Sequence, residues 1–241
     1  MGDVGELVDR LTSSDLNRRE RSRLLVALGS ALGAGAKAAG SRAAISGRWL
    51  ADVVAEQVAP RLPVRDLLAL REQHGGASGD QLAEALISAA SRTTAGVGAA
   101  AGAITAAEMA APPLLLTAPV LLSAQTLVVV AVELKLVAEL HVVYGRAPVG
   151  SRSQVAVACL TAWATRKAAP RPGSGARQPQ LAVALTAALK QQLRQRVVRR
   201  LARNVSSLMP FLAGAVAGAE LNRRETRSLG ETLQRDLRPL R

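Results

Sequence analysis

Forty consecutive residues, Thr93 to Val132, carry a single charge, Glu108. A run of that length has to be shielded from water, inside a protein core or inside a bilayer. Its apolar mass is Ala, Leu and Val, with no sustained period-two alternation. The whole chain has only four aromatic residues, Trp49, Trp163, Tyr144 and Phe211. Sheets lean on aromatic and β-branched side chains, so this composition points to helices. Pro112-Pro113 divides the run into two arms. The first, Thr94 to Ala111, is rich in Ala and Gly, and Gly98 and Gly102 stand four apart, a spacing that lets a second helix approach closely. The second, Leu114 to Val132, is richer in Leu and Val and is interrupted by Pro119. The pattern predicts a helical hairpin, either inserted in a bilayer with Arg92 and Lys135 both on the cytoplasmic side or buried in a soluble bundle, whose second arm runs on through Glu133 and ends near Gly145.

Helices are expected on both sides of it, which makes the chain an all-α, multi-helix bundle with a central apolar helical hairpin and no sheet. An N-terminal helical segment covers 1–76. In it Arg18, Arg19, Arg21 and Arg23 precede the uncharged run Leu24 to Ala36, which mimics a signal peptide. Asp15 and Glu20 argue against that, since signal peptides avoid acids there. The stretch reads instead as a helix capped by Ser13 or Ser14, with Leu24, Leu25, Leu28 and Leu32 as its apolar stripe. Further helices are expected from Ser41 to about Ala59, ending at Pro60, and from Val64 to Gln73, ending at Gly75-Gly76. The apolar core covers 77–167. It opens at the capping-box pattern Ser78 to Gln81 and closes with a helix capped by Ser151 or Ser153. A Pro/Gly/Arg linker covers 168–180. Basic C-terminal helices cover 181–241, one from about Leu181 to Asn204 and one from Phe211 to about Gly230, the latter with Gly214 and Gly218 four apart.

The formal charge of +13 is distributed unevenly. Residues 1–92 are nearly balanced at +1, residues 93–145 sum to −2, and residues 146–241 sum to +14. Between Glu139 and Glu220 there are twelve basic residues and no acidic one. An uncharged hairpin followed by a basic region suits an anionic membrane surface, where each cation contributes about 1 kcal/mol. The candidates for that contact are Lys190, Arg194, Arg196, Arg199, Arg200 and Arg203. Nucleic acid fits less well. The basic block holds only Trp163 as a stacking side chain, and no helix-turn-helix pattern is present.

Three segments carry a family resemblance. Val129 to Gly145 resembles the central helix of EcsC-family proteins; Ala89 to Gly96 and Phe211 to Thr226 are similar to the segments that accompany it. The likeness spans roughly Gln81 to Thr232, apart from the linker. The family takes its name from the third protein of a bacterial ABC-transporter operon. The resemblance therefore implies an all-helical bacterial protein close to membranes or transporters, and it brings no catalytic residues.

Few residues suggest chemistry. Cys159 is the only cysteine and His74 and His141 are the only histidines, so neither a disulfide nor a cysteine zinc site is expected, and no metal or cofactor. Cys159 reads as a small buried filler, and His74 as a helix C-terminal residue favoured by the dipole. Glu133, Val137 and His141 share one helix face at i, i+4 and i+8, with Tyr144 close to it. Lys135 and Glu139 form a separate i, i+4 pair. These polar groups suit either a proton-handling site around His141 or a seam of hydrogen bonds that fixes helix register; the seam is the stronger reading. The function expected is that of a non-enzymatic, membrane-associated helical protein on the cytoplasmic face, accessory to a transporter or other membrane process, with a membrane protein as a further partner. The alternatives are a soluble, cytoplasmic basic adaptor and a helical nucleic-acid binder.

Overall fold

The computed structural model describes residues 4–38, 47–109, 118–166, 187–204 and 212–238. Among them the regular structure is helical throughout, without a strand. The α-helices are α1 (Val4–Leu11), α2 (Arg18–Ala38), α3 (Gly47–Val53), α4 (Leu67–Gln73), α5 (Gly79–Met109), α6 (Ala118–Val143), α7 (Arg152–Thr165), α8 (Ala187–Asn204) and α9 (Leu212–Leu237). The chain is an all-α, multi-helix bundle. The turn at Pro112-Pro113 and the linker at 168–180 lie outside the described residues.

Helix α6 is the axis. It packs against α1, α2, α5, α7, α8, α9 and the π-helical turn Val54–Val58. That explains a sequence apolar on every side, since each face meets protein. Leu127, Val128, Val129, Val130 and Ala131 are wholly buried. The segment Val120–Val143 has a mean hydropathy of 2.0 and is long and apolar enough to cross a membrane, yet 83% of its apolar window is buried inside the bundle. Leu114 to Thr117, on the near side of the expected interruption at Pro119, lie outside the described residues; from Ala118 on, the helix is unbroken. This proline is the second residue of α6, where its missing N–H would have had no intrahelical partner anyway.

Helices α5 and α9 lie antiparallel and make the most extensive helix pair. A Cβ on Gly98 would stand 2.8 Å from the Gly218 carbonyl oxygen and 2.8 Å from Asn222 Nδ2. Three turns along, one on Gly230 would meet Ile87 Cγ1 at 2.6 Å. Absent side chains bring the two backbones together, and the Thr94 hydroxyl, 3.4 Å from the Asn222 carbonyl, crosses the same seam. Gly102 is buried in α5, while the surroundings of Gly214 lie outside the described residues.

Local signals set several helix ends. The α2 cap is neither Ser13 nor Ser14 but Asn17. Its side chain accepts from the Glu20 N–H at 3.0 Å, and Glu20 accepts from the Asn17 N–H at 3.2 Å. This reciprocal box satisfies two otherwise orphaned donors, which a lone serine further upstream would not. Leu25, Leu28 and Leu32 of the expected stripe are buried. Helix α7 begins at Ser151 with a complete capping box to Gln154. The helix expected up to Ala59 is shorter. α3 passes into the π turn and then the 3-10 turn Ala59–Arg61, as Pro60 approaches. Helix α4 starts at Leu67 rather than Val64, because Asp66 caps it by accepting from Ala69 N–H at 2.8 Å.

Candidate functional site

The polar residues of α6 divide into three environments. Glu133 faces inward and is fully buried. One oxygen accepts from Trp163 Nε1 at 2.8 Å and the other from the Thr226 hydroxyl at 3.1 Å. The carboxylate thus joins α6, α7 and α9. Trp163 is in turn covered from α8, where the Arg196 guanidinium lies 4.3 Å from the ring centroid and also donates to the Trp163 carbonyl. His141 is buried two turns further on, its Nδ1 2.6 Å from the Val137 carbonyl. Burial holds this imidazole below the usual histidine range, with the Val137 hydrogen bond opposing and Arg146 reinforcing the shift.

Tyr144 does not join them. It is half-exposed at the end of the bundle, where its hydroxyl donates to Asp80 at 2.5 Å. Arg238 reaches the same carboxylate at 3.0 Å, so the start of α5 and the ends of α6 and α9 are tied together. The Tyr144 hydrogen bond, followed by Arg238, holds Asp80 below the ordinary aspartate range.

The expected pair of Lys135 and Glu139 is replaced by a longer-range one. Glu139 is buried and receives both Arg65 Nε at 2.8 Å and Arg65 Nη2 at 3.0 Å, a forked geometry that lysine cannot supply. Arg65 also donates to Gln73. Lys135 is left half-buried, with no ion pair or hydrogen bond among the described residues. Both residues line a cleft of about 620 Å³ between Ser13–Asp15, Arg65, His74 and Thr93. Cations and carboxylates are mixed there, with Asp9, Asp15 and Glu139 facing Arg10, Arg65 and Lys135.

A second cleft, of about 480 Å³, lies on the other side of Pro63. Leu134 and Ala138 of α6 and Ala156 and Cys159 of α7 form its interior, and the segment Ala59–Val64 forms one wall. Among the described residues its charged side chains are Arg61 and Arg152, and no acid lines it. Burial pushes the Cys159 thiol up to about 12, which keeps it a neutral lining group. Of the large exposed hydrophobic residues among those described, Val64 lines this cleft, Leu67 and Leu68 (76% exposed) follow it in sequence, and Val149 (70% exposed) precedes the lining residue Gly150. The periodicity of the chain marks none of these as a group, because Val64 and Gly150 come to one cleft only in the fold.

The basic helix is less open than its composition suggests. Arg194 stands 3.9 Å from Asp52, and Arg196 packs on Trp163. Arg199 is exposed, its Nε bonded to the Gln195 carbonyl of its own helix at 3.3 Å. The side chains of Lys190, Arg200 and Arg203 lie outside the described residues. Among the described residues no three His, Cys, Asp or Glu side chains are grouped as a metal site requires.

Compared with known protein families, curated proteins and solved structures, the chain matches none. The class defined here is an all-α helical bundle with a buried apolar axis.

Proposed function

We propose that this chain is a non-enzymatic, EcsC-like helical protein that docks, as a folded bundle, on the anionic cytoplasmic face of a membrane and serves a process located there. The observation that carries this reading is the exposed rim of the second cleft. Val64 lines the cleft and is exposed, Val149 is exposed next to the lining residue Gly150, and Leu68 is exposed four residues after Val64; the charged residues described in the lining are Arg61 and Arg152, with no acid among them. Exposed apolar groups set among cations match the interfacial layer of an anionic leaflet, where hydrocarbon and headgroup charge lie a few ångströms apart. The twelve basic residues between Glu139 and Glu220 add long-range attraction.

Docking supports the packing of α6 better than insertion does. Placing that helix across a bilayer would strip it of α2, α5, α7 and α9, and would leave Glu133 and His141 without their hydrogen bonds in hydrocarbon. The burial of α6 is also what a soluble adaptor would have, and fractionation separates the readings. Membranes from expressing cells are washed with high salt and then with alkaline carbonate. A docked bundle pellets with the membranes and is released by these washes, since headgroup attraction is screened by salt. A chain that resists both washes is inserted. A chain that never pellets is the soluble adaptor.

A further inference from the structure

We propose that the second cleft is a binding site for a single-chain anionic amphiphile, with its hydrocarbon tail along α6 and α7 and its carboxylate or phosphate at Arg152. This rests on the membrane-surface reading for its source of ligand, but not for its chemistry. The interior is made of Leu134, Ala138, Ala156 and Cys159, and the thiol is neutral. A polar ligand would find no hydrogen-bonding side chain there and would lose its hydration without compensation. Ala138 and Ala156, one from each helix, leave open the space that larger side chains would fill. The resulting volume, about 480 Å³, falls in the range of small-molecule sites.

Charge selects the head. Among the described residues the charged side chains lining the cleft are Arg61 and Arg152, so an ammonium head is repelled and an anion attracted. Arg152 is exposed at the first position of α7 and makes no ion pair within the described protein. The neighbouring cleft lacks this selectivity, since Asp9, Asp15 and Glu139 offset its cations. A guanidinium fork beside an apolar cleft is an arrangement that suits a carboxylate or phosphate whose tail is buried.

The test is calorimetric titration of the whole chain, without vesicles, using laurate and dodecyl phosphate below their micelle concentrations and dodecyltrimethylammonium as the control. One saturable site is expected for both anions, with binding of the cation at least tenfold weaker. Ala156→Leu fills the slot and is expected to weaken both anions at least tenfold; Arg152→Gln is expected to weaken them about fivefold. Alkylation of Cys159, the only cysteine, gives a readout that needs no variant: saturating laurate is expected to slow it at least fivefold. Absence of a saturable site, equal affinity for the cation, or unprotected Cys159 overturns the proposal, as does full affinity in an Ala156→Leu chain with unchanged Tm. Should Ala156→Leu fail to fold, Cys159 protection in the native chain decides. Vesicle binding is measured separately, so a chain that docks on membranes but ignores laurate loses this site and keeps the surface role.

Discussion

Arg65 holds Glu139 by both carboxylate oxygens, at 2.8 and 3.0 Å, across 74 positions of sequence. The arginine comes from the short segment between Pro63 and the α4 cap, and the glutamate from the buried axis of the bundle. This ion pair fixes the wall that separates the two clefts. Arg65→Met would leave the Glu139 charge buried and unpaired, at a cost of about 3 kcal/mol. The double variant Arg65→Met/Glu139→Leu is expected to recover most of that loss. Urea unfolding of the three chains measures both, and additive losses would show that the pair is not coupled.

Glu133 is expected to act on stability. Its oxygens hold Trp163 and Thr226, and removing the side chain orphans the indole N–H and the hydroxyl in the core. Glu133→Ala should cost about 3 kcal/mol, the scale of two buried donors left unsatisfied. Denaturant midpoints give the number. An unchanged midpoint, with membrane binding lost, would instead make Glu133 a functional group.

His141 predicts a pH dependence with a definite sign. Its folded pKa is lowered, mainly by burial, so the unfolded chain binds a proton that the folded chain resists. This contribution to stability is complete above the unfolded histidine pKa, near 6.5, and is lost as pH falls below it. The slope approaches about 1.4 kcal/mol per pH unit until the folded group titrates. Melting temperatures between pH 7.5 and 5.5 should therefore fall, and His141→Gln should flatten that part of the curve.

Gly98 carries a steric prediction. Alanine is favoured over glycine in a helix by up to about 1 kcal/mol. At this position the added methyl would stand 2.8 Å from the Gly218 carbonyl oxygen, a backbone atom that cannot swing aside. Overpacking of this kind costs about 1–3 kcal/mol, so Gly98→Ala is expected to lower Tm and Gly98→Val to lower it further. A Tm raised by Gly98→Ala would mean that α5 and α9 are not in close contact here.

What could be read before folding was local. The leucine stripe of α2 and the Ser151 cap depend on neighbours within one or two turns, and both stand where the pattern puts them. The close seam at Gly98 was signalled by spacing alone, although Gly218 as its counterpart was not. Lys135 and Glu139 show the limit: i, i+4 spacing made them partners, but a forked guanidinium in a half-dry cleft outcompetes an ammonium. Nothing in the sequence relates residue 65 to 139, or 64 to 152, because those meetings depend on how the segment before α4 and the start of α7 are placed against α6. Pro119 shows how one residue carries two meanings, since proline breaks a helix in its middle and suits its first turn, where it stands in α6.

Flotation of purified protein with vesicles tests membrane docking most directly. Phosphatidylglycerol vesicles are compared with phosphatidylcholine vesicles, for the native chain and for Leu68→Asp/Val149→Asp. Both substituted positions are largely exposed, so the change should leave Tm nearly unmoved. The native chain is expected to float with the anionic vesicles and to remain in solution with the neutral ones, and the folded double variant should bind at least tenfold less. A native chain that fails to float, or a double variant that floats equally well, would contradict docking through the rim of this cleft.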